Sequence, residues 1–166
     1  MFINPLTAIG MVERCKELGA RSVIVTAAAS QIGRMLIYLL IQNGITPICT
    51  VRKENQAQML KAALGPRFEK FVINTSAPDF KKTMGAVCIR LKPKVCLECI
   101  SGGMTGLMMD FLTFESTVIL YGLLSDQPAG NINTLMFIAK NQTLESFLLN
   151  NWLAKKTLAQ YFEIVL

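Results

Sequence analysis

The residues best suited to chemistry fall in two short stretches, V-T-A-A-A-S-Q-I-G-R over 25–34 and V-R-K-E over 51–54. Set against G-x-G-x-x-G, the first carries Ala28, Ser30 and Gly33, small residues that let a backbone turn tightly and approach a pyrophosphate. Gly33 lets a following helix pack closely on the preceding strand. The free N–H groups around Ser30, Gln31 and Ile32 would face an anion together with the helix dipole. Two of the three glycines are replaced, so a turn of small residues that binds nothing is the plain alternative.

The second stretch lies at the end of the next apolar run. Turns that select NAD commonly place an acid there, about 20 residues on, to hold the ribose 2′-hydroxyl. Here Arg52 and Lys53 stand 19 and 20 residues after Gly33, and cations would welcome a 2′-phosphate. Alone, the pair is also what an exposed basic turn looks like. Taken with the small-residue turn, it favours NADPH over NADH.

Other catalytic schemes lack their parts. There is no histidine, so Ser-His-Asp and Cys-His systems have no base. The five cysteines (Cys15, Cys49, Cys88, Cys96 and Cys99) are odd in number and scattered, which argues against a disulfide framework and for a reducing compartment. Cys96 and Cys99 have C-x-x-C spacing but fall on an apparent strand, where i and i+3 point to opposite faces. With no second pair, no metal site is expected.

Composition frames these motifs. A chain of 166 residues is one domain by length. Mean hydropathy is +0.41, yet the densest apolar stretch, Met35 to Ile41, is far too short for a bilayer span. Short apolar runs instead suit strands buried on both faces of a parallel sheet. The net charge of +6 fits either an anionic ligand or a generally basic surface. No basic stripe interleaved with aromatics points to nucleic acid.

Strand-like and helix-like segments alternate along the chain. Strands are expected at 22–26, 46–51, 71–74, 94–98, 116–121 and 143–148. Helices are expected at about 31–43, 54–64, 79–91, 104–112 and 134–140, with another at the C-terminus. In the first of these, Ile32, Met35, Leu36, Leu39 and Leu40 follow the i, i+3, i+4 spacing of a core-facing stripe. At the other end, Met1 to Ile9 reads as a helix entry, with Asn4 as N-cap and Pro5 at the first position. That entry suggests a domain cut from a longer chain or an unusual reduced form. The whole pattern predicts an α/β fold of the Rossmann type: a doubly wound parallel sheet of about six strands with helices on both faces. Functional loops then begin at the carboxyl ends of the strands, near Ala27, Val51, Asn74, Cys99 and Tyr121.

N-P-L-T-A (Asn4 to Ala8), T-A-A-A-S-Q-I-G-R (Thr26 to Arg34), V-R-K (Val51 to Lys53) and Y-G-L-L-S (Tyr121 to Ser125) occur in order across nearly the whole chain. In this set and order they resemble the medium-chain dehydrogenase/reductase superfamily, closest to its zinc-independent quinone reductase and 2-enoyl-thioester reductase branches. L-K-A-A-L-G followed by F-V-I-N is similar to another segment of those proteins. The resemblance implies hydride transfer from NADPH to an activated carbon–carbon double bond or a quinone. It implies that Ser30, Gln31 and Ile32 line the pyrophosphate, with Gly33 in the same cofactor-binding turn, and that Arg52 and Lys53 meet the 2′-phosphate. The turns around Ile100 to Gly102 and Tyr121 to Gly122 would border the nicotinamide ribose. Phe147 and Leu148, at the end of the sixth strand, would approach the nicotinamide, and Asn4 would pass near the cleft.

The family also has an N-terminal β-rich substrate domain, which in enoyl-thioester reductases supplies a catalytic tyrosine. None of that domain is seen here, and the segment returning to it is missing or ends at Leu166. No catalytic residue is therefore assigned. The first expectation is a cofactor domain that binds NADPH and depends on absent sequence for turnover. The second is a non-catalytic structural or regulatory domain of a larger assembly, with apolar patches where the lost domain packed. The short-chain reductases share the fold but need Tyr-x-x-x-Lys. Tyr38, Tyr121 and Tyr161 are followed four positions later by Gln42, Ser125 and Val165. A homodimer through the last strands (Leu144 to Leu148) is expected from the resemblance. An intracellular location, cytoplasmic or mitochondrial, is expected from the thiols and the charge.

Overall fold

The computed structural model describes residues 3–157 and 159–160. The predicted helix start at Met1, and Tyr161, Val165 and Leu166, lie outside the described residues. Helix α1 (Ile3–Glu17) comes first, then β1 (Ser22–Val25), α2 (Gln31–Gln42), β2 (Thr46–Val51), α3 (Glu54–Leu64) and β3 (Val72–Asn74). The second half runs α4 (Phe80–Leu91), β4 (Val95–Glu98), α5 (Gly103–Phe111), β5 (Thr117–Leu120), α6 (Thr134–Ala139), β6 (Thr143–Ser146) and α7 (Leu149–Leu153).

The six strands form one sheet in the order β3-β2-β1-β4-β5-β6, and every pairing is parallel. Consecutive strands thus wind outwards from β1 in one direction and, after a crossover, from β4 in the other. The Rossmann expectation holds, and the switch point lies between β1 and β4. Burial on both faces explains why β1 and β4 are uninterrupted buried runs without polar alternation.

Alternate strand residues feed two cores. On one face Val23, Val25, Cys49, Val51, Val95, Leu97 and Ile119 pack with Met11 of α1 and Leu36 and Leu40 of α2. On the other, Ile24, Ile48, Cys96 and Val118 pack with Met84 of α4 and Met108 of α5. Cys96 therefore faces the second core, while Cys99 lies in the turn beyond β4 against Thr26.

Most boundaries shift by a residue or so from the sequence reading, and two of the shifts bear on the site. Helix α1 begins at Ile3, so Asn4 lies inside its first turn instead of capping it. Strand β6 ends at Ser146, two residues early, although Phe147 N still donates to Leu120 O at 2.8 Å. Leu148 then becomes the N-cap of α7. Among the described residues, no helix is long and apolar enough to cross a membrane.

Candidate functional site

The β1–α2 turn is built for a close approach. Ala27 takes a left-handed φ of +45°, and Ala28 is fully buried, donating its N–H to Thr50 O at 3.0 Å. Ser30 is the N-cap of α2, and its hydroxyl accepts from Gly33 N at 3.1 Å. The second glycine of the motif is thus replaced by a residue that turns its side chain back onto the helix. Gly33 itself cannot vary, because a Cβ there would stand 2.7 Å from Ala28 O and 2.8 Å from Ala27 O. The first-turn N–H groups of Gln31 and Ile32 have no acceptor within the helix and point out of its positive end.

Asn4 of α1 reaches this turn: its Nδ2 donates to Gln31 Oε1 at 3.2 Å. Two landmarks 27 residues apart in sequence are brought together there. Arg52 and Lys53 are exposed immediately after β2, next to β1 in the sheet. The neighbouring Glu54 is tied elsewhere, its carboxylate accepting from Asn74 Nδ2 at 2.9 Å at the end of β3. Among the described residues, neither Arg52 nor Lys53 enters an ion pair.

Across the switch point, the turns after β4 and β5 are joined backbone to backbone. Leu124 N donates to Cys99 O (2.9 Å), Ser125 N to Ile100 O (2.8 Å), Gly102 N to Gln127 O (3.2 Å) and Gly130 N to Gly102 O (3.0 Å). Gly106 of α5 completes the seam, donating to Gly130 O at 3.1 Å, and a Cβ there would overlap the Asn131 carbonyl. Ile100, Gly102 and Gly122 lie on these joined turns. Tyr121 is half-buried and packs against the first core, and its hydroxyl is buried with no hydrogen-bond partner among the described residues. That burial raises its pKa above the ordinary phenol value. Burial likewise pushes Cys15, Cys49 and Cys88 up to about 12, so none of these thiols is an activated nucleophile.

Phe147 and Leu148 part company. Phe147 belongs to the first core and leans on Trp152 of α7, ring centroids 6.5 Å apart. Both rings lie where a Cβ on Gly10 would be, so Phe147 packs against α1. Leu148 is largely exposed.

The residue that sequence reading missed is Glu98, the last of β4 and fully buried. Its Oε1 accepts from Ile100 N (2.6 Å) and Thr26 Oγ1 (3.2 Å), and its Oε2 from Ser101 N (2.9 Å) and Thr105 Oγ1 (2.9 Å). Burying a carboxylate is costly unless it is hydrogen-bonded, and bonds to charged groups contribute about 1.5–3 kcal/mol each. The available signal was an acid closing the apolar run V-C-L-E, three positions before a Ser-Gly-Gly turn.

A groove of about 530 Å³ lies between α1 and α2 beside the Asn4–Gln31 contact, lined by Pro5, Ile9, Arg34, Met35, Tyr38 and Leu39. A larger one, about 670 Å³, opens at the amino ends of β4 and β5. It is remote from the strand ends where parallel sheets carry their sites, so its size has no bearing on the site.

Known proteins bear on this geometry. No family model matches the chain. The mitochondrial enoyl-[acyl-carrier-protein] reductase of Arabidopsis thaliana is 26% identical over 164 residues, covering 98% of this chain and 44% of that protein. Its Xenopus tropicalis counterpart is 28% identical, covering 98% and 47%. Among solved structures, a Mesorhizobium loti protein assigned as an NADPH:quinone reductase superposes with a TM-score of 0.86 at 29% identity, covering 98% of this chain and 46% of that one. The chain is similar to these enoyl and quinone reductases over nearly its whole length, and the match falls on their nucleotide-binding half. A 2-enoyl thioester reductase solved with NADP and crotonyl-CoA has a TM-score of 0.81, but at 21% identity it bears on the fold alone. The chain spans under half the length of the curated relatives it matches.

Proposed function

We propose that this chain is the NADPH-binding domain of an oxidoreductase that delivers hydride to an activated carbon–carbon double bond or a quinone. The observation that carries the reading is the pairing of two features at adjacent strand ends. The open amino end of α2 lies beyond β1, and the exposed Arg52 and Lys53, in no ion pair among the described residues, lie beyond β2. A pyrophosphate and a 2′-phosphate are the groups those features suit.

In this reading Gln31 and Ile32 donate backbone N–H groups to the pyrophosphate. Ser30 and Gly33 hold the turn that aims those groups, and Asn4 orients the Gln31 side chain. Arg52 and Lys53 hold the 2′-phosphate. The joined turns with Ile100, Gly102, Tyr121 and Gly122 border the nicotinamide ribose, with Leu148 at the margin and Phe147 supporting from the core. Bound NADPH supplies the hydride, and the domain's part is to fix the cofactor's orientation.

Because the chain covers less than half of each relative, turnover in this proposal depends on a substrate-facing region outside the domain. Exposed Leu123 and Leu124 after β5, with Leu135 and Ile138 on α6, form apolar surface suited to such a partner. The same surface favours a second reading, a non-catalytic domain held in a larger assembly. A homodimer through the outer edge of β6 belongs to the proposal as well. A molecular mass that stays monomeric across a wide concentration range would rule it out.

Calorimetric titration of the purified chain with NADPH and NADH decides between the readings. The first expects NADPH to bind at least about tenfold more tightly, as expected for a 2′-phosphate held by two cations. Binding of neither cofactor would sink the first reading and leave the second.

A further inference from the structure

Glu98 stands out because its four bonds all come from donors on other parts of the switch point, and among the described residues no cation pairs with it. The turn that it grips is one a free chain would not keep. Ser101 and Gly102 are consecutive residues with φ of +67° and +58°, and for a serine that region is sparsely populated. The two carboxylate oxygens each hold one backbone N–H of this turn, and Thr26 and Thr105 lock the carboxylate to β1 and α5. From the turn the grip passes onward, since the loop of residues 124–130 bonds to Cys99, Ile100 and Gly102.

We propose that Glu98 is a positioning residue for the nicotinamide side of the cofactor site. Its carboxylate fixes the 100–102 turn and, through it, the loop after β5, in the shape that borders the nicotinamide ribose. The ligand in this statement rests on the NADPH reading above, whereas the hold on the turn does not. Glutamine cannot replace the glutamate. Both oxygens accept a backbone N–H, so either orientation of the amide sets an NH2 against a donor.

The test compares the wild-type chain with Glu98→Gln by amide hydrogen exchange and by binding of NADPH and of 2′,5′-ADP, which carries only the adenine-side phosphates. The proposal expects exchange at Ile100 and Ser101 to quicken by about tenfold or more while Val25 and Leu97 are unchanged. It also expects NADPH binding to weaken by about tenfold and 2′,5′-ADP binding to stay within about twofold. Thr105→Val removes one donor without touching the turn, and serves if the glutamine variant does not fold. It should give the same pattern at lower amplitude, about threefold on NADPH. Unchanged exchange at Ile100 and Ser101 overturns the proposal whatever the ligand does. Equal loss of NADPH and 2′,5′-ADP binding reduces Glu98 to general support of the fold and also overturns it. A wild-type chain that binds neither ligand overturns the NADPH reading and the ligand half of this proposal, and the exchange rates still judge the hold on the turn.

Discussion

At the ends of β1 and β2 the chain leaves its hydrogen-bonding and charged groups open. The N–H groups of Gln31 and Ile32 lack intrahelical acceptors, and Arg52 and Lys53 are exposed and enter no ion pair among the described residues. At the ends of β4 and β5 the reverse holds. The turns bond to one another through four backbone N–H groups, to α5 through Gly106 N and to the buried Glu98 through two more N–H groups. One sheet, with the same parallel pairing on both sides of the switch point, thus carries an open end and a closed one. Open donors suit an anion arriving from solvent. Closed turns suit a part of the ligand that must be held in one orientation and that offers little charge of its own.

The largest expected effect breaks the closed side. Gly106→Ala drives a methyl into the Asn131 carbonyl, and such overpacking costs about 1–3 kcal/mol, or roughly 2–12 °C in Tm. A scan showing less than about 1 °C of change would mean that the 128–131 loop does not rest on α5. Next comes the open side. Arg52→Ala should weaken NADPH about tenfold by titration and change NADH less than about twofold, since only the 2′-phosphate is lost as a partner. Equal losses for both cofactors would remove the arginine from 2′-phosphate recognition.

Ser30→Ala sharpens the contrast. It removes the cap on Gly33 N and should cost about 1 kcal/mol, or roughly 2–4 °C, while NADPH weakens less than about threefold. A larger loss of affinity would give the hydroxyl a direct part in holding the ligand.

The smallest effect lies away from both sides, where α7 is fastened to α1. Burial pushes the Glu13 pKa up, but hydrogen bonds from Lys156 and Trp152 outweigh it, and the net shift is downward. A carboxylate with a lowered folded pKa stabilises above its unfolded value, and loses that contribution as the pH falls through the folded one. The fastening should therefore hold at neutral pH and release in acid, with a midpoint below the ordinary glutamate range. Trp152, the single tryptophan, reports it by fluorescence. Glu13→Gln should abolish the acid transition in emission, and persistence of that transition would assign it to another group.

Much of this fold was legible because its code is local. Thr46–Val51 and Glu54–Leu64 have the bounds that hydrophobic period and stop signals give, and the remaining strands differ by one or two residues at their ends. The open end was legible in part for the same reason: a close-packed glycine and two exposed cations are named by side-chain type, whereas Ser30 read only as a small residue and its cap on Gly33 N did not show. The closed end was not. Its seam is made of backbone bonds, which leave no mark on residue type, and Glu98 acquires its role only once β1 lies beside β4. Asn4 was misread as a cap because its side chain is used by Gln31, 27 residues away. Phe147 reads equally well as a ligand contact or as core until α1 is seen to offer Gly10 beneath it.

The fastening of α1 also constrains how the chain can fold. Arg14 clasps Glu145 through two bonds of 2.9 and 3.0 Å, and Glu13 receives Trp152 and Lys156, so α1 is finished by residues that lie 131 to 143 positions later in the chain. Contacts spanning 131 to 143 positions raise the contact order and slow folding, because the chain entropy of closing that loop is lost before the contacts form. During synthesis, the flank of α1 bearing Glu13 and Arg14 must wait for the whole sheet to emerge before it is covered. At a ribosomal rate of about 5–20 residues per second, that wait is on the order of ten seconds.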